Sequence, residues 1–196
     1  MHRAQPRRLG FTMIELMIVI AVVAIIATLA APSFMDMIVM QRLRGVNAQL
    51  VTDLQFGRSE AVARGRYMRF NFGSDANQTC YVIYVNENGA SDRCDCTAGA
   101  GAACTAVNTL EVKTVSVARN SQVSFVMPVG QDTAFAYDYV TGGLVTIPSD
   151  SAIHLPLTVQ ISSFVDNDRQ LQTNVLQTGR PSVCAPNPSR MQVTGC

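Results

Sequence analysis

Arg7-Arg8-Leu9-Gly10-Phe11-Thr12-Met13-Ile14-Glu15-Leu16 opens the chain, and between Leu16 and Ala31 the only residue that is not apolar is Thr28. A helix over 11–31 is roughly 32 Å long, enough to cross a bilayer core. Glu15 lies near the start of this segment, and a carboxylate at that depth costs about 2.5–3.5 kcal/mol on insertion scales. It needs a partner, or else it is a helix-start acid favoured only by the macrodipole. Arg3, Arg7 and Arg8 precede the run and no comparable cluster follows at once, so the amino end stays on the cytoplasmic side.

A discarded secretory signal is the competing reading, with Thr28-Leu29-Ala30 as a passable cleavage site. Against it, the helical pattern continues without a break. Pro32 predicts a bend at the membrane exit. Beyond it Leu43, Val46, Leu50, Leu54 and Ala61 fall on one face, and Gln41, Arg44, Thr52, Gln55 and Ser59 on the other. Glu60 and Arg64 are spaced as an i,i+4 pair, and Gly65 is a natural stop. One helix is therefore expected over about 12–64, in two halves, 11–32 and 33–65.

The remainder, 66–196, reads as strands and turns. Arg66 to Gly73 alternates Tyr67, Arg69 and Asn71 against Met68, Phe70 and Phe72. Cys80 to Val85 is a second strand, and Asn86-Glu87-Asn88-Gly89 a turn. Residues 90–108 form a cysteine-bearing loop. Further strands are expected near 110–117, 122–127, 133–140, 143–147, 157–163 and 170–177, with Gly142-Gly143 as a hairpin turn. The fold class is α+β, a long amino-terminal helix packed on a mainly antiparallel β domain.

Six cysteines (Cys80, Cys94, Cys96, Cys104, Cys184 and Cys196) lie beyond the apolar segment, which points to disulfides in an oxidising compartment. Cys184 and Cys196 close a short terminal loop and are the best pair; the pairing of the other four stays open. A zinc site at Cys94, Cys96 and Cys104 is the weaker alternative, since C-x-C is not the usual spacing. Of the 15 basic residues three lie in the first ten positions, which leaves fewer than the 14 acids in the body. Bulk charge thus makes no general polyanion binder. No catalytic set is evident: His154 is the one histidine after the first ten residues, and there is no glycine-rich phosphate loop. Asp166-Asn167-Asp168 lacks the glycine and glutamate of a calcium loop and reads as a strand-connecting turn. No enzyme activity, metal or cofactor is expected.

Gly10-Phe11-Thr12-Met13-Ile14-Glu15-Leu16 resembles the class III leader of type IV pilins and type II secretion pseudopilins. The resemblance implies that a prepilin peptidase cuts after Gly10, releasing the 1–10 leader, and methylates the new amine on Phe11. Glu15 would pair with that amine in the same or a neighbouring subunit during assembly. Leu54-Gln55-Phe56-Gly57-Arg58-Ser59-Glu60-Ala61-Val62-Ala63-Arg64 is similar to the signature of the FimT/FimU/GspH branch, with Gly57 where alanine is usual. That branch comprises minor pilins and minor pseudopilins. The resemblance implies a single-pass inner-membrane precursor with a periplasmic β-rich head, later a subunit of a pilus or pseudopilus fibre. Its partners would be other pilins or pseudopilins, met through the amino-terminal helix. The work is assembly and initiation, hence motility, adhesion or DNA uptake, or secretion in the pseudopilin alternative. Gln177-Thr178-Gly179-Arg180-Pro181-Ser182 resembles the Gly-Arg-x-Arg segment by which some FimT-type pilins hold DNA. Ser182 stands where the second arginine belongs, and Arg190 is the candidate substitute. Two such arginines imply a weak, salt-sensitive DNA contact at most.

Overall fold

The computed structural model describes residues 10–86, 92–127, 133–145 and 159–196. By internal packing the chain divides into two compact units, Met1–Ile38 and Val39–Cys196. Helix α1, Met13–Arg64, is 52 residues long and contributes to both. Thr12 begins it: the Glu15 N–H donates to the Thr12 hydroxyl at 3.2 Å, which satisfies one of the unpaired donors of the first turn. The other end stops as Gly65 allows. Gly65 has φ +63°, its N–H donates to Val62 O, and the Arg66 N–H donates to Ala61 O, a Schellman closure. Glu60 and Arg64 are paired one turn before it. The bend expected at Pro32 falls among residues 29–33, whose side chains lie outside the described ones.

Among the described residues of the second unit, nine strands form two antiparallel sheets. The first contains β1 (Met68–Ser74), β2 (Gln78–Asn86), β3 (Thr109–Ala118), β5 (Ala134–Tyr137) and β6 (Leu144–Val145) in the order β3-β2-β1-β5-β6. The second contains β4 (Ser124–Val126), β7 (Val159–Phe164), β8 (Gln170–Val175) and β9 (Pro181–Cys184) in the order β4-β7-β8-β9. Met68, Phe70 and Phe72 of β1 alternate into the interior beside Tyr81, Ile83 and Val85 of β2. Ile161, Leu171 and Val175 enter the same core from the second sheet, and Leu43, Leu50, Leu54 and Ala61 enter it from α1. Phe70 stacks on Phe135 with ring centroids 5.1 Å apart.

Two buried polar residues interrupt the apolar stripe of α1, and each is tied to one sheet. Asn47 Oδ1 accepts from the hydroxyls of Ser163 on β7 (3.3 Å) and Thr173 on β8 (2.9 Å). Asp53 accepts from the Tyr81 hydroxyl on β2 (2.7 Å) and from Lys113 Nζ on β3 (2.6 Å). Buried polar groups need such partners.

The strands lie where alternation and turn residues place them, though β5 is shorter than 133–140. Asp166–Arg169 joins β7 to β8, with Asp166 Oδ1 accepting from the Asp168 and Arg169 N–H groups. Asn86, expected to open a turn, is the last residue of β2; the rest of that turn at 87–89, the strand ends at 146–147 and 157–158, and His154 lie outside the described residues. Where the sequence pattern predicts only a terminal loop, the chain forms β9 and the short helix α2 (Pro188–Met191).

Candidate functional site

Two stretches carry the functional expectations, and they lie in different units. The first is the amino end of α1. Phe11 is 86% exposed, and the side chains of Met13, Ile14, Leu16, Met17, Ile18 and Val19 are exposed in succession, as are those through Ile26. Apolar residues thus cover the whole circumference of the helix, not one stripe. An isolated helix of that kind is unstable in water and calls for lipid or other helices. Gly10 is described and open to solvent, and Glu15 is exposed within the first turn. Among the described residues no helix is long and apolar enough to cross a membrane. The crossing expected over 11–32 includes Leu29 to Pro32, whose side chains are not described.

The second stretch is the Gly179-Arg180 segment. Strand β8 ends at Val175, and the chain turns back into β9 through Gly179, whose N–H donates to Leu176 O at 2.8 Å and whose φ is +77°. Pro181 begins β9 as the outermost strand of its sheet, where a missing donor does no harm. The turn presses on the β5–β6 hairpin: Leu144 N–H donates to Gln177 O at 2.9 Å. A Cβ on Gly179 would come within 2.1 Å of Gly142 O, so only glycine fits. The same Gly142 carbonyl accepts from Arg58 Nε of α1 at 2.8 Å. The hairpin is held in turn by Asp138, whose Oδ2 accepts from the N–H and hydroxyl of Thr141. Burial tends to raise the Asp138 pKa, but the Thr141 N–H and hydroxyl together with the Val140 and Tyr139 N–H groups outweigh it and leave it below the usual carboxylate value.

Three distant pieces of chain therefore meet: residue 58 of the helix, the 138–143 hairpin and the 176–180 turn. Between them lies a hollow of about 470 Å³ bordered by Gln55, Arg58, Ser59, Val62, Thr141 and Arg180. A second hollow of about 550 Å³ adjoins it and shares Arg58, Thr141 and Arg180. In the sequence Arg58 is only one position of a helical signature, because the carbonyl that holds it is 84 residues away.

Arg190 is not part of this group. It lies on α2, where the Met191 carbonyl accepts from Arg44 Nη2 at 3.3 Å. Arg44 and Arg58 are roughly 21 Å apart along α1 at 1.5 Å per residue. Arg190, the candidate substitute for the missing second arginine, borders neither of the two hollows that Arg180 lines.

The cysteines are all joined. Cys184–Cys196 clips β9 to the chain terminus, Cys80–Cys96 fastens the 92–108 loop to β2, and Cys94–Cys104 closes that loop on itself. Cys94, Cys96 and Cys104 thus offer no thiolate for the zinc alternative. Cys80, Val82 and Tyr84 with Cys94, Cys96 and Ala103 make a small second core on the outer face of the first sheet.

Residues 5–31 match the family model for the prokaryotic N-terminal methylation motif, and residues 47–179 match that for type II transport protein GspH. Among solved structures the chain is similar to the type IV minor pilin FimU of Pseudomonas aeruginosa (strain PAO1), at 15% sequence identity and a TM-score of 0.49, over 74% of this chain and 90% of that one. No curated protein matches it. The GspH model covers most of the second unit, from within α1 to the Gly179 turn, and the methylation motif covers the stretch around Gly10, Phe11 and Glu15; the chain belongs to the GspH family of minor pilins and pseudopilins.

Proposed function

We propose that this chain is a minor pilin. It is made as a precursor anchored in the inner membrane by the amino half of α1, with Val39–Cys196 as the periplasmic head. Prepilin peptidase cuts after Gly10 and the Phe11 amine is methylated. The subunit then joins a type IV pilus by packing α1 among the helices of other pilins, and it serves assembly and initiation. Its work is packing, not catalysis. The observation that carries this reading is the exposed surface from Phe11 to Ile26, apolar all round except for Thr12 and Glu15, within a matched methylation motif. Such a surface needs either lipid or neighbouring helices, and a fibre subunit meets the two in turn.

The matched family, that of type II transport protein GspH, favours a second reading in which the fibre is a secretion pseudopilus. Mass spectrometry of the chain isolated from membranes tests what the two readings share. The expected product begins at a methylated Phe11, and a chain still beginning at Met1 refutes both. Deleting the gene separates them: loss of surface fibres and twitching supports the pilus, and loss of secreted protein with fibres intact supports the pseudopilus.

A further inference from the structure

The hollow between α1, the 138–143 hairpin and the 176–180 turn holds a positive charge that its own walls do not balance. Arg58 and Arg180 both border it, and no carboxylate does so among the described residues. Nearby Arg64 is already paired with Glu60. Arg58 is held in place through Nε, which donates to Gly142 O, and Arg180 is exposed at the head of β9. We propose that this hollow is a socket for a carboxylate carried on a loop of the adjacent subunit in the fibre, an inference that rests on the fibre-subunit reading above.

The chemistry favours that ligand. Guanidinium groups bind carboxylate oxygens through short, charge-assisted hydrogen bonds, and two of them in one hollow suit one acid side chain. The rim suits a protein. Val62, which borders the hollow, is 53% exposed; Val140 and Tyr139, exposed as well, precede the bordering Thr141 in the same hairpin, and Tyr139 packs on the exposed Tyr67. Tyrosine and arginine are the residues enriched at the energetic centres of protein interfaces. A nucleic acid fits less well. Two phosphate contacts give only weak, salt-sensitive binding. The Tyr67 and Tyr139 rings meet edge to edge-face at 5.1 Å and 76°, engaged with each other and not laid out as a stacking platform.

The test uses the full-length chain in its own cell, with the amount in membranes and the amount in sheared fibres measured by immunoblot. Arg180 is the residue to change, because it is exposed and its one hydrogen bond among the described residues is through the backbone carbonyl, which a substitution keeps. Arg180→Glu is expected to lower the fibre fraction ten-fold or more at an unchanged membrane level, and Arg180→Lys much less. Suppressors selected against Arg180→Glu are expected to exchange an Asp or Glu for Lys or Arg in another fibre subunit. Wild-type incorporation of Arg180→Glu overturns the socket, and so do suppressors that only raise expression. Unchanged incorporation together with lost binding of double-stranded DNA by the detergent-solubilised full chain overturns it in favour of nucleic acid. If the unaltered chain is missing from fibres, it is the fibre-subunit reading that fails.

Discussion

Tyr81 and Tyr137 are both fully buried in the same core, and burial holds both phenols far above their ordinary pKa. They differ in their hydroxyls. That of Tyr81 donates to Asp53, whereas that of Tyr137 has no partner among the described residues. The same substitution should therefore give opposite results in denaturant unfolding. Tyr81→Phe removes a donor from a buried carboxylate and is expected to cost about 1–3 kcal/mol. Tyr137→Phe removes an unsatisfied hydroxyl and is expected to be neutral or to stabilise by up to about 1 kcal/mol. Glu111 supplies a pH test. Burial tends to raise its pKa, but the Gly101 N–H, the Thr114 hydroxyl and the Ala103 N–H outweigh that and hold it below the usual carboxylate value. A carboxylate depressed on folding contributes stability that is present above its unfolded pKa and lost as pH falls through the folded one. Wild type should thus melt above Glu111→Gln at pH 7, and the difference should vanish on acidification below the folded pKa.

Where α1 meets β1, Gly57 stands in a helix interior, a position that costs about 1 kcal/mol relative to alanine. The reason lies across the interface. A Cβ at Gly57 would come 2.5 Å from the buried ring of Phe70, which is stacked on Phe135 and cannot retreat without disturbing that pair. Gly57→Ala should therefore destabilise despite its better helix propensity, by about 1–3 kcal/mol in thermal unfolding. This exchange shows what local pattern conveys and what it omits. The departure from the family signature at residue 57 was visible in the sequence, and its cause was not, because Phe70 is reached only through tertiary packing. The helix and strands were legible because their periods of 3.6 and 2 are local properties, ended by residues such as Gly65 and Gly142. Asn47 and Asp53 left a readable signal that went unused: each is a polar residue on the stripe drawn by Leu43, Leu50 and Leu54. β9 gave little, being four residues long and opening with proline, and α2 is a single turn. The gathering of Arg58, Gly142 and Gly179 has no local signature at all.

At the scale of the whole molecule, one helix serves two surroundings. Its amino half presents apolar residues on every side, and its carboxyl half is built into a disulfide-braced head. On the proposed function, Glu15 is the single carboxylate in that apolar surface and pairs with the Phe11 amine during assembly. Glu15→Ala should leave a processed, membrane-inserted chain that enters fibres poorly, measured as the ratio of sheared to membrane protein; normal incorporation removes the pairing role. The buried ties of α1 to the two sheets have a mechanical consequence for such a subunit. Tension along a fibre reaches the head as shear between helix and sheets. Leucines resist shear weakly, because a slip of one helical turn, about 5.4 Å, sets one apolar side chain where another had been. Asn47 and Asp53 permit no such slip. Each finds its hydroxyl or ammonium partners in one place only, Asn47 on the second sheet and Asp53 on the first, and a shift of a turn would leave both polar groups stranded among apolar side chains. They act as two keys cut into a greasy shaft, so the head is driven by the helix without creeping along it.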